Sequence, residues 1–224
     1  MIIPKNWGEM PFTARLDFLI RVILLLFGAG LAINQFLFNR SIWGDEGYLA
    51  LNIIDKSYFE LLGPLDHYQV SPPLFLILSK FFFRIIPQPE MALRFLPLIF
   101  FISSLVLLFF LTQRLFETPF TRIATLSLFS FSHAHIYFAT EFKQYIGDVF
   151  FVLLGIYLVL FPFRFQKVKF FSLGLYGAFF CLFSHSSFLF LPTLTLYLIV
   201  EDYSEDSREN LKPIFFLAQF GFQF

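Results

Sequence analysis

Apolar runs long enough to cross a membrane repeat along most of this chain. A transmembrane helix needs about 20 consecutive, mainly apolar residues. Polar residues at 184–187 interrupt the last stretch, 170–200, so it is one tilted span or two shorter ones, and we favour two. The predicted spans are 16–38, 91–112, 121–140, 146–163, 170–183 and 188–200.

Composition supports the same class of protein. Hydrophobic residues make up 58% of the chain and charged residues only 14%, whereas soluble domains have roughly 45–50% and 25%. A single soluble core could not bury the 38 Phe residues. Because 16 basic residues balance 16 acidic ones, nothing indicates a nucleic-acid partner. We predict an all-α polytopic membrane protein.

The segment 72–86 is apolar but differs from the spans. It has 15 residues, carries Lys80 and Arg84, and is bounded by prolines. At about 1.5 Å per residue it would cover roughly 22 Å, less than the hydrocarbon core of about 30 Å. Ser71 as a cap and Pro at the first helical position predict a helix. We expect an interfacial helix within a long outer loop, 39–90.

The distribution of basic residues among the loops predicts the orientation of the chain in the membrane. With 72–86 outside, two basic loops fall on the cytoplasmic side, as the positive-inside rule favours. Residues 1–15 then form a cytoplasmic head, 201–213 a polar connector and 214–224 the start of a truncated span. The basic residues of the two loops are Arg114 and Arg122, and Arg164, Lys167 and Lys169.

The outer loop begins with two adjacent carboxylates, Asp45 and Glu46, beside Trp43 and Tyr48. A carboxylate near an apolar wall has a raised pKa, which suits a general base, and aromatic faces can hold sugar rings. The alternative is that these acids only cap the following helix.

Two further polar clusters are predicted on the outer side. His67 and Gln69 precede the interfacial helix, where His67 is a solvated residue or, less often, a metal ligand. Glu141, Gln144, Tyr145 and Asp148 would share one face if that segment were helical. The alternative for this third cluster is an ion pair between Glu141 and a neighbouring lysine.

Two embedded residues have alternative interpretations. Arg94 is either an interfacial anchor or a phosphate contact. His185, which lies between serines, is either a site residue or a polar residue that hydrogen-bonds neighbouring helices to each other, and we favour the second interpretation.

Taken in order, these features resemble the membrane-embedded glycosyltransferases of the GT-C fold. The likeness covers about residues 16–200, and the nearest branch holds the protein O-mannosyltransferases and the lipid A aminoarabinose transferases. The segments that carry it are Trp43-x-Asp45-Glu46, His67-x-Gln69-x-x-Pro72-Pro73-Leu74-Phe75, Glu90-x-x-x-Arg94, and Ile136-Tyr137-x-x-x-Glu141-x-Lys143-x-Tyr145.

The resemblance implies roles for these residues. Asp45, or Glu46 as second choice, would be the catalytic base of an inverting transfer to an acceptor hydroxyl. The residues that would bind the substrates are His67, Gln69, Arg94, Glu141, Lys143 and Tyr145. Cofactors stay undetermined, with a divalent metal near Asp45 and Glu141 possible.

The resemblance also implies partners and a location. The donor would be a sugar on polyprenyl phosphate, the acceptor a lipid, glycan or protein, and the protein would lie in a bacterial inner membrane with its site facing outward. Because relatives are about twice this length, we expect the chain to be an N-terminal portion. The alternative is a non-catalytic polytopic membrane protein, such as a transporter fragment or an assembly scaffold.

Overall fold

The computed structural model describes residues 11–200, where the regular structure is helical throughout. The predicted connector 201–213, the predicted last span 214–224 and most of the predicted head lie outside the described residues. The helices are α1 (Phe12–Leu37), α2 (Gly44–Asp55), α3 (Pro73–Ile85), α4 (Pro89–Leu115), α5 (Pro119–Ser130), α6 (His133–Phe138), α7 (Tyr145–Leu160), α8 (Gln166–Phe183) and α9 (Ser187–Val200). A short 3-10 turn, Glu60–Leu62, follows α2.

Two of these helices, α1 and α4, are long and apolar enough to cross a membrane, and α7 and α9 are shorter apolar helices. The prediction of an all-α membrane protein is confirmed. The number of membrane crossings stays a prediction.

Helix α4 forms the centre of the unit that spans residues 1–185, because α1, α3, α5 and α7 all pack against it. Helix α1 buries only one stripe of its surface and exposes large apolar side chains elsewhere, such as Ile23 and Leu26. On the buried stripe Gly28 lies so close to Ser130 that an added Cβ would be 2.9 Å from the serine Cβ. The described residues 186–200 belong to a second unit and contain α9.

The apolar run 121–140 forms two helices. Helix α5 begins earlier, with Pro119 at its first position, and ends at Ser130. Ser132 then starts α6, because its side chain accepts a hydrogen bond from the backbone N–H of His135. The stretch 170–200 also contains two helices, and they are separated at residues 184–186.

The helix that was predicted at 72–86 is present as α3, but its expected cap is wrong, and its interfacial position stays a prediction. Pro72 occupies the N-cap position and makes no side-chain cap, while the Ser71 hydroxyl is buried without a described partner. Pro73 is the first residue of α3, and the φ angle that its ring fixes already suits the start of a helix.

One end of the bundle carries a buried group of charges. Arg21 is fully buried, donates to the Phe109 carbonyl oxygen at 3.0 Å and pairs with Asp17 at 3.1 Å. Arg122 reaches the same Asp17 at 3.4 Å. At this end Arg114 also donates to the Leu160 carbonyl oxygen at 2.7 Å. The start of α1, the loop between α4 and α5 and the end of α7 therefore lie together.

Candidate active site

The opposite end of α4 meets the first turn of α2, which carries Asp45 and Glu46. Acidic residues are favoured in this first turn because the helix dipole is positive there. Adjacent residues of a helix point about 100° apart, and their surroundings differ accordingly. The Glu46 side chain is completely buried, whereas the Asp45 side chain is 45% exposed.

Glu46 is fully occupied by contacts within the protein. Arg94 donates to both of its carboxylate oxygens, from Nε at 3.2 Å and from Nη2 at 2.7 Å. The backbone N–H of Phe142 donates to Oε1 at 2.6 Å. Glu46 thus fixes the loop before α7 against the start of α2.

Arg94 also fixes the chain that leads into α2. Its guanidinium donates to the backbone carbonyl oxygens of Arg40 and Ser41. Arg40 in turn stacks on the Tyr137 ring, 4.3 Å from its centroid, and donates to the Thr140 carbonyl oxygen at 3.5 Å. A buried arginine with this many protein partners positions the site residues.

The segment carrying Gln69 is held by Asn52, which is buried on α2. The Asn52 side-chain amide donates to the Asp66 carbonyl oxygen at 3.3 Å, and its oxygen accepts the Asp66 N–H at 2.8 Å. Lys56 pairs with the Asp66 carboxylate at 3.0 Å. The sequence analysis did not identify Asn52, since an isolated amide within a short helix gives no signal of its own.

Three predicted residues from distant parts of the chain, Asp45, Gln69 and Lys143, meet at one place. Lys143 Nζ lies 2.8 Å from Asp45 Oδ2 and 3.2 Å from Gln69 Oε1. Gln69 Nε2 donates to Asp45 Oδ1 at 3.3 Å. We call Asp45, Gln69 and Lys143 the polar triangle. Because the ion partner of Lys143 is Asp45, the alternative pairing of Lys143 with Glu141 is wrong.

The expected raised pKa of Asp45 is also wrong. Hydrogen bonding to Lys143 holds the pKa of this carboxyl below its ordinary value, assisted by the lysine charge and by Gln69. Partial burial raises the pKa of Asp45, but this effect is smaller than that of the hydrogen bond to Lys143. Asp45 is therefore ionised at neutral pH, as a proton acceptor must be.

Glu141 lies in the loop before α7, so it is not part of the predicted helical stripe, because α7 begins only at Tyr145. Its side chain is buried, and Trp43 hydrogen-bonds to it. Burial raises the pKa of this carboxyl, and the nearby Glu46 charge adds to the shift. Trp43 and Glu46 of one segment thus contact Glu141 and Phe142 of the other.

The side chains of His67 and Tyr145 make other contacts. His67 is exposed, has a positive φ of 58°, and packs its ring against Tyr48 at 5.1 Å between centroids. Tyr145 is 44% exposed and packs against Phe138 at 5.2 Å. Within residues 11–200, no three His, Cys, Asp or Glu side chains are grouped so that they could hold a metal ion.

The comparison with protein families identifies the family to which this chain belongs. Residues 70–222 match the family described as dolichyl-phosphate-mannose-protein mannosyltransferase. The chain belongs to this mannosyltransferase family. It is a membrane glycosyltransferase of the GT-C type, a class that uses a lipid-linked sugar donor and an acceptor. The searches of curated proteins and of solved structures found no match.

The family match includes Arg94, Glu141 and Lys143 but begins just after Gln69. Asp45 and Glu46 precede the matched segment as well. Their connection to it is made in three dimensions, through Lys143, Arg94 and the Phe142 N–H.

Proposed function

We propose that this chain transfers a sugar, mannose by the family's description, from a polyprenyl-phosphate donor to an acceptor hydroxyl, with Asp45 as the general base. The observation that carries the proposal is the contrast between the two adjacent acids. Glu46 is buried and bound by Arg94 and a backbone N–H, whereas Asp45 is half exposed and held only by flexible polar side chains. Of the two, Asp45 can meet a substrate.

The chemistry follows from the polar triangle. The acceptor oxygen attacks the anomeric carbon as the bond from that carbon to the phosphate oxygen breaks, which inverts the configuration. Asp45 takes the hydroxyl proton, and polyprenyl phosphate leaves with the bonding electron pair. Lys143 is the cation beside Asp45 and can stabilise the leaving phosphate.

Lys143 can also regulate the base. While it pairs with Asp45, it lowers the pKa of the carboxyl and weakens it as a base. When a donor phosphate draws the ammonium away, the pKa of Asp45 rises and proton transfer becomes more favourable. The donor would thereby prepare the base for the acceptor.

A multi-pass arrangement with the polar triangle on the outer side of a bacterial cell membrane is part of the proposal. Arg114, near the end of α4, and Arg122, near the start of α5, lie at the end of the bundle where α7 finishes. The polar triangle lies where α4 and α7 begin, at the other end. If the basic end is cytoplasmic, the triangle faces outward.

The pH profile of transfer tests the roles of Asp45 and Lys143. In the wild type, kcat/KM for mannosyl transfer should stay constant as the pH is lowered through the range in which an ordinary aspartate titrates. It should decrease only at still lower pH, because the pKa of Asp45 is lowered. In Lys143→Met the loss of the ammonium raises the pKa of Asp45, so the acid limb should move to higher pH, with a lower maximal rate. The assay uses the full-length protein in membranes with polyprenyl-phosphate-mannose.

Lys56→Met is the matched control, since Lys56 is also paired with an aspartate of the outer loop. Its acid limb should coincide with that of the wild type. An unchanged acid limb in Lys143→Met would exclude Asp45 as the titrating base, and no mannosyl transfer by the wild type would count against the proposed catalysis.

A further inference from the structure

Buried oxygen atoms without a partner occur in the segment 141–148, which contains Lys143 and continues into α7. Glu141 Oε2, Gln144 Oε1 and Asp148 Oδ1 are inaccessible to solvent and have no hydrogen-bond partner among the described residues. Glu141 as a whole is only 4% exposed. Buried oxygens normally find a donor, so three close together in sequence indicate a function. We call Glu141, Gln144 and Asp148 the oxygen strip.

The geometry keeps these residues near one another and near Lys143. Gln144 is the N-cap of α7, and the Asp148 N–H donates to its carbonyl oxygen at 3.1 Å, so the two side chains lie one turn apart on the same helix face. Ser184, where α8 ends, hydrogen-bonds to the Asp148 carboxylate, and His185 adds a favourable charge interaction. Asp148 Oδ1 still has no described partner.

We propose that the oxygen strip binds the hydroxyl groups of the sugar that is transferred. The proposal rests on the proposed function, since it concerns the same donor. That donor has three chemically distinct parts: an apolar chain, a phosphate that mainly accepts hydrogen bonds, and a sugar whose hydroxyls donate them. Only the sugar supplies the donors that the oxygens of the strip lack.

The neighbouring charges match this assignment. Lys143 lies between Glu141 and Gln144 in the sequence and supplies the cation that suits the phosphate. Burial raises the pKa of Glu141, and the oxygens of its carboxyl group can accept hydrogen bonds from sugar hydroxyls. The sugar and the phosphate would therefore be bound by neighbouring residues of one segment, 141–148.

Binding measurements test the strip separately from catalysis. With the full-length protein in lipid nanodiscs, the dissociation constants of polyprenyl phosphate and polyprenyl-phosphate-mannose are measured side by side. Their ratio gives the contribution of the sugar. We expect the wild type to bind the mannosylated lipid more tightly, and Gln144→Met to reduce that preference roughly 3- to 10-fold, the value of one lost hydrogen bond.

Gln144 is the first choice for substitution because its side chain makes no helix-capping hydrogen bond, so α7 should form without it. Gln113→Met makes the same change at an exposed amide near the other end of α4 and should leave the preference unchanged. Asp148→Asn is the second variant, and it should also reduce the preference while retaining the size of the side chain.

The outcomes separate the two proposals. Equal binding of both lipids by the wild type, or an unchanged preference in both Gln144→Met and Asp148→Asn, would overturn the sugar-binding role. A reduced preference in the variants supports it, even if the wild type transfers mannose to no acceptor tested, a result that would count against the proposed catalysis alone.

Discussion

Replacing Asp45 with asparagine should lower mannosyl transfer by about 10²- to 10⁴-fold, the usual contribution of a general base. The amide has nearly the same shape as the carboxylate but cannot take the acceptor proton. Stability should hardly change, because Asp45 is 45% exposed and exposed ion pairs contribute little. The measurement is the initial rate of mannosyl transfer, alongside the thermal stability of the purified protein.

Asp55→Asn is the control, because Asp55 is an exposed acid at the far end of the same helix. It should transfer mannose at the wild-type rate. If Asp45→Asn retained activity within a few-fold of the wild type while remaining folded, Asp45 would not be the base.

Removing Arg94 should be among the most damaging changes to the stability of the chain. In Arg94→Met the Glu46 carboxylate would stay buried without its partner, and breaking a buried ion pair from one side costs about 3–5 kcal/mol. Adding Glu46→Gln removes the unpaired charge and keeps an oxygen that can accept the Phe142 N–H. The double variant should therefore be more stable than Arg94→Met alone, as followed by the midpoint of denaturant unfolding.

Arg84→Met is the control for these variants, because Arg84 is exposed on α3 and stacks over Tyr58. It should unfold close to the wild-type midpoint. A double variant no more stable than Arg94→Met would mean that Glu46 and Arg94 are not coupled as their geometry requires.

The sequence indicated which segments form the site but not how each residue serves it. Asp45 and Glu46 are adjacent, and both are acids at the start of a helix, so sequence alone could not separate a half-exposed base from a buried structural anion. The difference comes from Arg94, which lies 48 residues further along the chain. A partner at that distance is set by the packing of α2 on the rest of the bundle.

The helix boundaries show a similar limit. The run 121–140 is mostly apolar, although it contains Arg122, His133, His135 and several small polar residues, and its hydropathy alone predicts one helix. The structure has a break there because Ser132 caps a new helix. The short helix α3 was easier to predict, since flanking prolines mark both of its ends. Asn52 illustrates what sequence reasoning misses, because its importance depends on two backbone groups of Asp66.

The charged group around Arg21 was not predicted from the sequence. In the structure it joins α1, α4 and α5 through Asp17, the Phe109 carbonyl oxygen and Arg122. Charges near the ends of apolar helices can thus connect neighbouring helices as well as set orientation. The pattern of basic residues alone could not distinguish these uses.

Cross-linking from one side of the membrane tests most directly whether the separate segments meet at an outward-facing site. Cysteines replace Gln69 and Lys143, whose side chains are 3.2 Å apart, in a background where the single native cysteine, Cys181, is serine. A short, membrane-impermeant bifunctional thiol reagent should link the pair rapidly in right-side-out vesicles, whereas an Asp55 and Lys143 pair should not link. No cross-link, or one that forms only in inverted vesicles, would contradict the account.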